Sequence, residues 1–172
     1  LGVVGSVGRR ATIKVLHHLL RYGNFKCHVA FESGLGGSGC AGDVLSMPKG
    51  TDVLLFEAGA LEKGDVARIA GALSPNIAVM ARVQHPLPSP ARDAHTAGLY
   101  CEILETINQS AVIYDMNLAV QERSRQVLNG LPAIFYSENY DSAPAFSDTE
   151  IIDCLSIRMS SLIQEPVSYT HL

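Results

Sequence analysis

Apolar residues along this chain fall into two kinds of block that take turns. Short runs are apolar on both faces: Leu1 to Val4, "TDVLLFEAG", "NIAVMARV", "SAVIYD" and "LPAIFYS". A sixth, "FKCHVAF", alternates apolar and polar positions and is rich enough in β-formers to be a strand. Between these runs the spacing is helical. Ile13, Leu16, Leu19 and Leu20 share a face within Arg9 to Tyr22. Further helices are expected over Asp65 to Leu73 (stopped by Pro75), Ala94 to Ile107 (with Leu99, Ile103 and Ile107 on one side), and Leu118 to Leu128. A last one is expected over Asp148 to Ile163, with Asp148 as its N-cap. The glycine-rich "ESGLGGSG", Glu32 to Gly39, reads as a loop, and "QHPLPSPARD" as a long irregular one.

Strand and helix alternate throughout, and apart from "FKCHVAF" the strands have no polar face. That pattern predicts an α/β fold, a mostly parallel sheet covered by helices on both faces. Ligands of such sheets bind at the carboxyl ends of the strands. Three loops leave those ends: Gly5 to Arg10, Glu57 to Gly64, and Arg82 to Asp93.

Composition narrows the class. With 172 residues, 47% hydrophobic and 17% charged, the chain is globular and long enough for one domain. Its net charge of −4 gives no reason to expect nucleic acid or an anionic membrane as partner. No apolar run approaches the ~20 residues of a membrane span. The apolar start is followed by Arg9 and Arg10 rather than preceded by a basic region, which argues against a signal peptide. Cys27, Cys40, Cys101 and Cys154 form no C-x-x-C pair, so reduced thiols and a cytoplasmic location are expected. The chain starts in mid-strand, and its end, "VSYTHL", resembles a translated sequencing adaptor. Residues 1–166 are therefore expected to be a domain fragment truncated at both ends, with 167–172 an adaptor-derived tail.

The first loop, "GSVGRRAT", is built like a phosphate cradle. A helix N-terminus offers N–H groups and a positive dipole end, and Gly5 and Gly8 let the backbone turn and approach a ligand. Gly5, Ser6, Val7, Gly8, Arg9 and Arg10 are thus candidates for binding nucleotide phosphate or another small anion. The lysine and hydroxyl of a G-x-x-x-x-G-K-[ST] loop are absent. Arg9 stands in the lysine's place and still suits an anion, but Arg10 puts a cation where a hydroxyl would hold Mg²⁺. An ordinary strand-to-helix turn explains the stretch as well. In the second loop, Glu57 ends a buried strand, as a candidate metal ligand or a solvated residue at the strand mouth. His85, among prolines in the third loop, is a weaker metal candidate. His17 and His18 are expected on the surface, and Glu102 and Glu105 as a solvated pair. Asp115 is expected either to touch a ribose or to cap the helix after it.

Five blocks in order resemble the central ATP-binding domain of the Mur ligases, most closely the D-alanyl-D-alanine-adding branch. They are "GSVGRRATIK", "LLFEAGALEKGDVARIAGALSPNIAV", "PNIAVMARVQHP", "LYCEILETI" and "AVIYDMNLAV", covering roughly Leu1 to Ser137. The resemblance implies a phosphate-loop NTPase-like domain that uses ATP to activate a carboxylate for attack by an amine. It also implies flanking N- and C-terminal domains, missing here, that carry the substrates.

Matched position by position, Gly5, Ser6, Gly8 and Glu57 agree with the family. Arg9 replaces its lysine, Arg10 its metal-binding hydroxyl, Ala81 and Arg82 its T-N pair, and Tyr100 its carbamylated lysine. The family's histidine falls at Pro86 or Leu87, leaving His85 displaced. No residue is assigned a catalytic role. The expectation is a degenerate ligase-like domain, impaired in ATP turnover, that binds nucleotide or anion without an intact Mg²⁺ site. An active divergent amide ligase and a non-enzymatic scaffold are the alternatives.

Overall fold

A computed structural model of the chain describes residues 1–31, 38–84, 87, 89–113 and 117–135. Six strands and five helices follow one another: β1 (Gly2–Val4), α1 (Arg9–Tyr22), β2 (Cys27–Ala30), α2 (Ser38–Leu45), β3 (Val53–Ala58), α3 (Asp65–Leu73), β4 (Ile77–Met80), α4 (Pro90–Cys101), β5 (Ser110–Ile113), α5 (Leu118–Leu128) and β6 (Ala133–Phe135). The strands form one sheet in the order β2-β3-β1-β4-β5-β6, and every neighbouring pair is parallel. This is the α/β architecture expected from the alternating blocks. His85, Tyr114 to Met116, Cys154, the expected helix Asp148 to Ile163 and the tail 167–172 lie outside the described residues, as does most of the glycine-rich loop.

The absence of a polar strand face has a direct cause. Successive residues point to opposite sides of a sheet, and here both sides are covered. Val3, Leu55, Val79 and Val112 pack with Ile13, Leu16 and Leu20 of α1 on one side. Val4, Phe56, Met80 and Ile113 pack on the other with Val66 of α3, Ala97 of α4 and Val120 of α5. The α1 stripe follows its helical spacing, and each of its fully buried residues contributes about 2 kcal/mol through removal of apolar surface from water.

Two helices differ from the expectation. The sequence pattern does not predict helix α2, and Ser38 and Gly39 belong to it rather than to a loop. Its sequence, "SGCAGDVL", has two glycines and a weak apolar rhythm, so local propensity does not show it. Tertiary contacts hold it instead: Asp43 accepts from the Phe31 N–H at 2.9 Å, and its carbonyl meets His28 Nε2 at 2.7 Å. Helix α4 begins at Pro90, four residues early, because Ser89 caps it and proline suits its first turn. At its other end it tightens into a 3₁₀ turn over Glu102–Glu105.

That turn corrects the reading of Glu102. Its carboxylate is buried and accepts from the N–H of Gly64 at 2.8 Å and of Ala67 at 3.2 Å. It caps the N-terminus of α3 from across the fold. Glu105 stays exposed and lies 3.9 Å from Arg123.

Candidate functional site

The phosphate-loop candidate sits where its sequence puts it, between β1 and α1. Gly5 has φ +140°, and a Cβ there would stand 3.0 Å from the carbonyl carbon of Ala81 and from the carbonyl oxygen of Arg82. The chain passes so close to the end of β4 that only glycine fits. Gly8 has φ +81° and starts α1 from a left-handed conformation, with open space around it.

Parallel pairing of β1 with β3 places Val3 beside Glu57. Glu57 lies within β3, its side chain 4% exposed. Two cations reach it from the start of α1. Arg9 Nε donates to Oε1 at 2.8 Å, and Arg10 Nε to Oε2 at 3.4 Å. Arg9 also donates through Nη1 to the Gly5 carbonyl, so its guanidinium closes the loop against the strand. Arg10 is 65% exposed and lies over the Phe31 ring, 5.8 Å from its centre. Ser6, Gly8, Arg9, Arg10, Ala11 and Glu57 line an open depression of about 310 Å³ here.

One set of contacts was not visible in the sequence. The N–H groups of Ser6 and Val7 both donate to the Arg82 carbonyl, at 2.9 and 3.1 Å. The Ser6 hydroxyl accepts from the Gln84 N–H at 2.6 Å and donates to the Gln84 carbonyl at 3.0 Å. The front of the loop is therefore fastened to the segment after β4. The depression is faced by Ser6, the turn at Gly8, the first turn of α1 and Glu57. The Ser6 hydroxyl joins two loops. Val7 is half exposed.

Other candidates separate from this cluster. Tyr100 is buried in α4. Asn117 is the N-cap of α5, its side chain accepting from the Ala119 N–H at 2.9 Å, and Asp115 lies outside the described residues. Among the described residues no group of three His, Cys, Asp or Glu comes together as a metal shell. Both Glu57 oxygens face guanidinium groups, a donor set that does not fit Mg²⁺, which takes anionic and hydroxyl oxygens.

No family model and no curated protein matches the chain in sequence. Solved structures do. The MurF ligase of Thermotoga maritima, in complex with ADP, superposes with a TM-score of 0.59 at 21% identity, over 78% of this chain and 31% of that one. A MurF from Acinetobacter baumannii gives 0.63 at 16% identity, over 80% and 30%. The fold is Mur ligase-like. Folylpolyglutamate synthetase from Helicobacter pylori extends the same likeness over 97% of this chain and 54% of that one, with a TM-score of 0.65 at 15% identity. The chain thus spans less than a third of the MurF ligases and about half of the synthetase. No helix among the described residues is long and apolar enough to cross a membrane.

Proposed function

We propose that this Mur ligase-like domain binds the phosphate groups of a nucleotide, ATP in the first instance, without Mg²⁺ and without transferring phosphate. The observation that carries the reading is the Arg9–Glu57 pair. In a transferring enzyme the acid at this strand end helps to hold a metal that bridges the phosphates. Here that acid is neutralised from within by two arginines. What remains favourable to an anion is a glycine turn, a helix N-terminus and an excess of one positive charge. A phosphate entering the depression would displace the exposed Arg10 from Glu57 and take its guanidinium, while Arg9 stays locked between strand and loop. The ADP held by the Thermotoga MurF ligase is consistent with a nucleotide as the anion. Descent from an ATP-dependent amide ligase of cell-wall synthesis, with D-alanyl-D-alanine as the ancestral amine, is part of the same proposal.

Isothermal titration with ATP tests it. The expected result is binding of the same affinity with Mg²⁺ and with a chelator present. Affinity that depends steeply on Mg²⁺ overturns the metal-free reading, and absence of binding leaves the scaffold reading. An ATP-to-ADP assay on the full-length protein with amine acceptors separates the divergent active ligase, which would turn over at rates usual for ligases. Arg9→Lys alone is expected to produce no turnover, because Arg10 still occupies the place of the metal-binding hydroxyl.

A further inference from the structure

The opposite end of the sheet carries a second charged site. Helix α1 contains Arg9, Arg10, Lys14, His17, His18 and Arg21 and no acidic residue. His17 and Arg21 are four apart and share a face. They overlook a groove of about 470 Å³ at the amino-terminal ends of β2 and β3. Lys26 and Lys49 face the same groove, and its lining includes no carboxylate. The nearby acid, Asp52, is spent on the backbone, accepting from the Lys26 N–H at 2.8 Å. Among the described residues, Arg21, Lys26 and Lys49 have no carboxylate within ion-pair distance. Even with the charge of Asp52 counted, these three cations leave the groove locally positive in a chain of net charge −4.

The walls are fixed and partly apolar. Phe25 packs into the α1 core cluster and Pro48 forms the far lip. The Thr51 hydroxyl donates to the Pro48 carbonyl at 2.8 Å, and Gly50 turns the chain at φ +80°. Main-chain bonds between Lys26 and Asp52 tie the two lips together. We propose that this groove binds a small phosphorylated organic molecule. Arg21 supplies a fork for phosphate oxygens, Lys26 and Lys49 add point charges, and His17 adds a ring nitrogen. Phosphate alone would leave most of the volume empty, so the organic part lies against Phe25 and Pro48. The site is independent of the phosphate loop, which lies at the other end of the parallel strands.

The test is an amide NMR titration of the whole chain with phenyl phosphate, inorganic phosphate and sodium chloride at matched ionic strength. Phenyl phosphate is expected to shift Asn24 to Cys27 and Gly50 to Thr51 saturably, and more tightly than inorganic phosphate. The double variant Arg21→Ala, Lys49→Ala is expected to weaken that binding about tenfold or more, as loss of charge-assisted hydrogen bonds requires. Arg92→Ala with Arg123→Ala removes the same charge elsewhere and is expected to leave it unchanged. Shifts reproduced by sodium chloride, shifts confined to Gly5 to Ala11, or equal weakening by both double variants would each overturn the proposal.

Discussion

Two glycines in one loop do different work, and their substitutions separate the reasons. At Gly5 a side chain meets both an unfavourable φ and main-chain atoms at 3.0 Å that cannot move without shifting β4. At Gly8 the φ is also positive but the space is open. Gly5→Ala is expected to destabilise by about 2–4 kcal/mol, combining backbone strain with overpacking. Gly8→Ala is expected to cost about 1 kcal/mol, from the left-handed conformation alone. Urea unfolding of both variants checks the order; equal losses would mean that the approach to Ala81 and Arg82 is looser than the geometry implies. Arg9 and Glu57 make a second residue-scale test. Arg9→Met leaves the buried carboxylate with only the longer contact to Arg10 and is expected to cost about 2–3 kcal/mol. Adding Glu57→Met should restore much of that loss, since no buried charge then lacks a partner. A double variant as unstable as the sum of the two singles would refute the coupling.

Helix ends in this fold are held by tertiary contacts as much as by their own caps. The N-cap of α3 is Gly64, which has no side chain to offer. Glu102 supplies the missing acceptor from the far end of α4, and its negative charge also complements the helix dipole. Glu102→Ala is expected to destabilise by about 2 kcal/mol, and Glu102→Gln by less because the shape is kept. Hydrogen exchange at Gly64 and Ala67 should quicken in both. Asp65, in the first turn of the same helix, gives a pH signature. The N–H groups of Glu62 and Leu61, with a smaller contribution from Arg68, hold its carboxyl below the usual value of 3.8. A depressed folded value means that this stabilisation is complete above about pH 4 and is lost as pH falls through the lower folded value. The Asp65 side chain is 14% exposed but its partner Arg68 is 63% exposed and well screened by solvent, so the effect is small. Asp65→Asn is expected to flatten the acid limb of stability against pH slightly while leaving the slope above pH 5 alone.

For the molecule as a whole, sheet position sets the order of local stability. β1 and β4 lie inside the sheet, paired on both sides and covered by helices on both faces, whereas among the described residues β2 and β6 are edges with one partner each. Amide exchange is expected to be slowest in β1, β3 and β4 and fastest in β6 and β2. Slow exchange in β6 would place another strand beside it. The same order explains why the loop and Glu57 meet. A parallel sheet brings all carboxyl ends to one edge, and β1 sits next to the strand that carries the acid.

The sequence by itself determined the class of fold, the place of the loop and most of the elements. Apolar runs with no polar face require cover on both sides, and the α1 stripe shows which residues provide it. Resemblance in five ordered blocks carried the Mur ligase-like architecture, because the order and spacing of scaffold residues follow the fold. Contacts between distant segments carried no such signal. Glu102 and Glu105 read alike in sequence, but one caps α3 and the other faces solvent. Helix α2 has poor propensity and exists through Asp43 and its packing on β2. Ser6 is read as a ligand contact in isolation, yet its hydroxyl fastens one loop to another 78 positions away. Arg9 and Glu57 are 48 positions apart, and only the pairing of β1 with β3 turned a loop arginine and a lone acid into one ion pair.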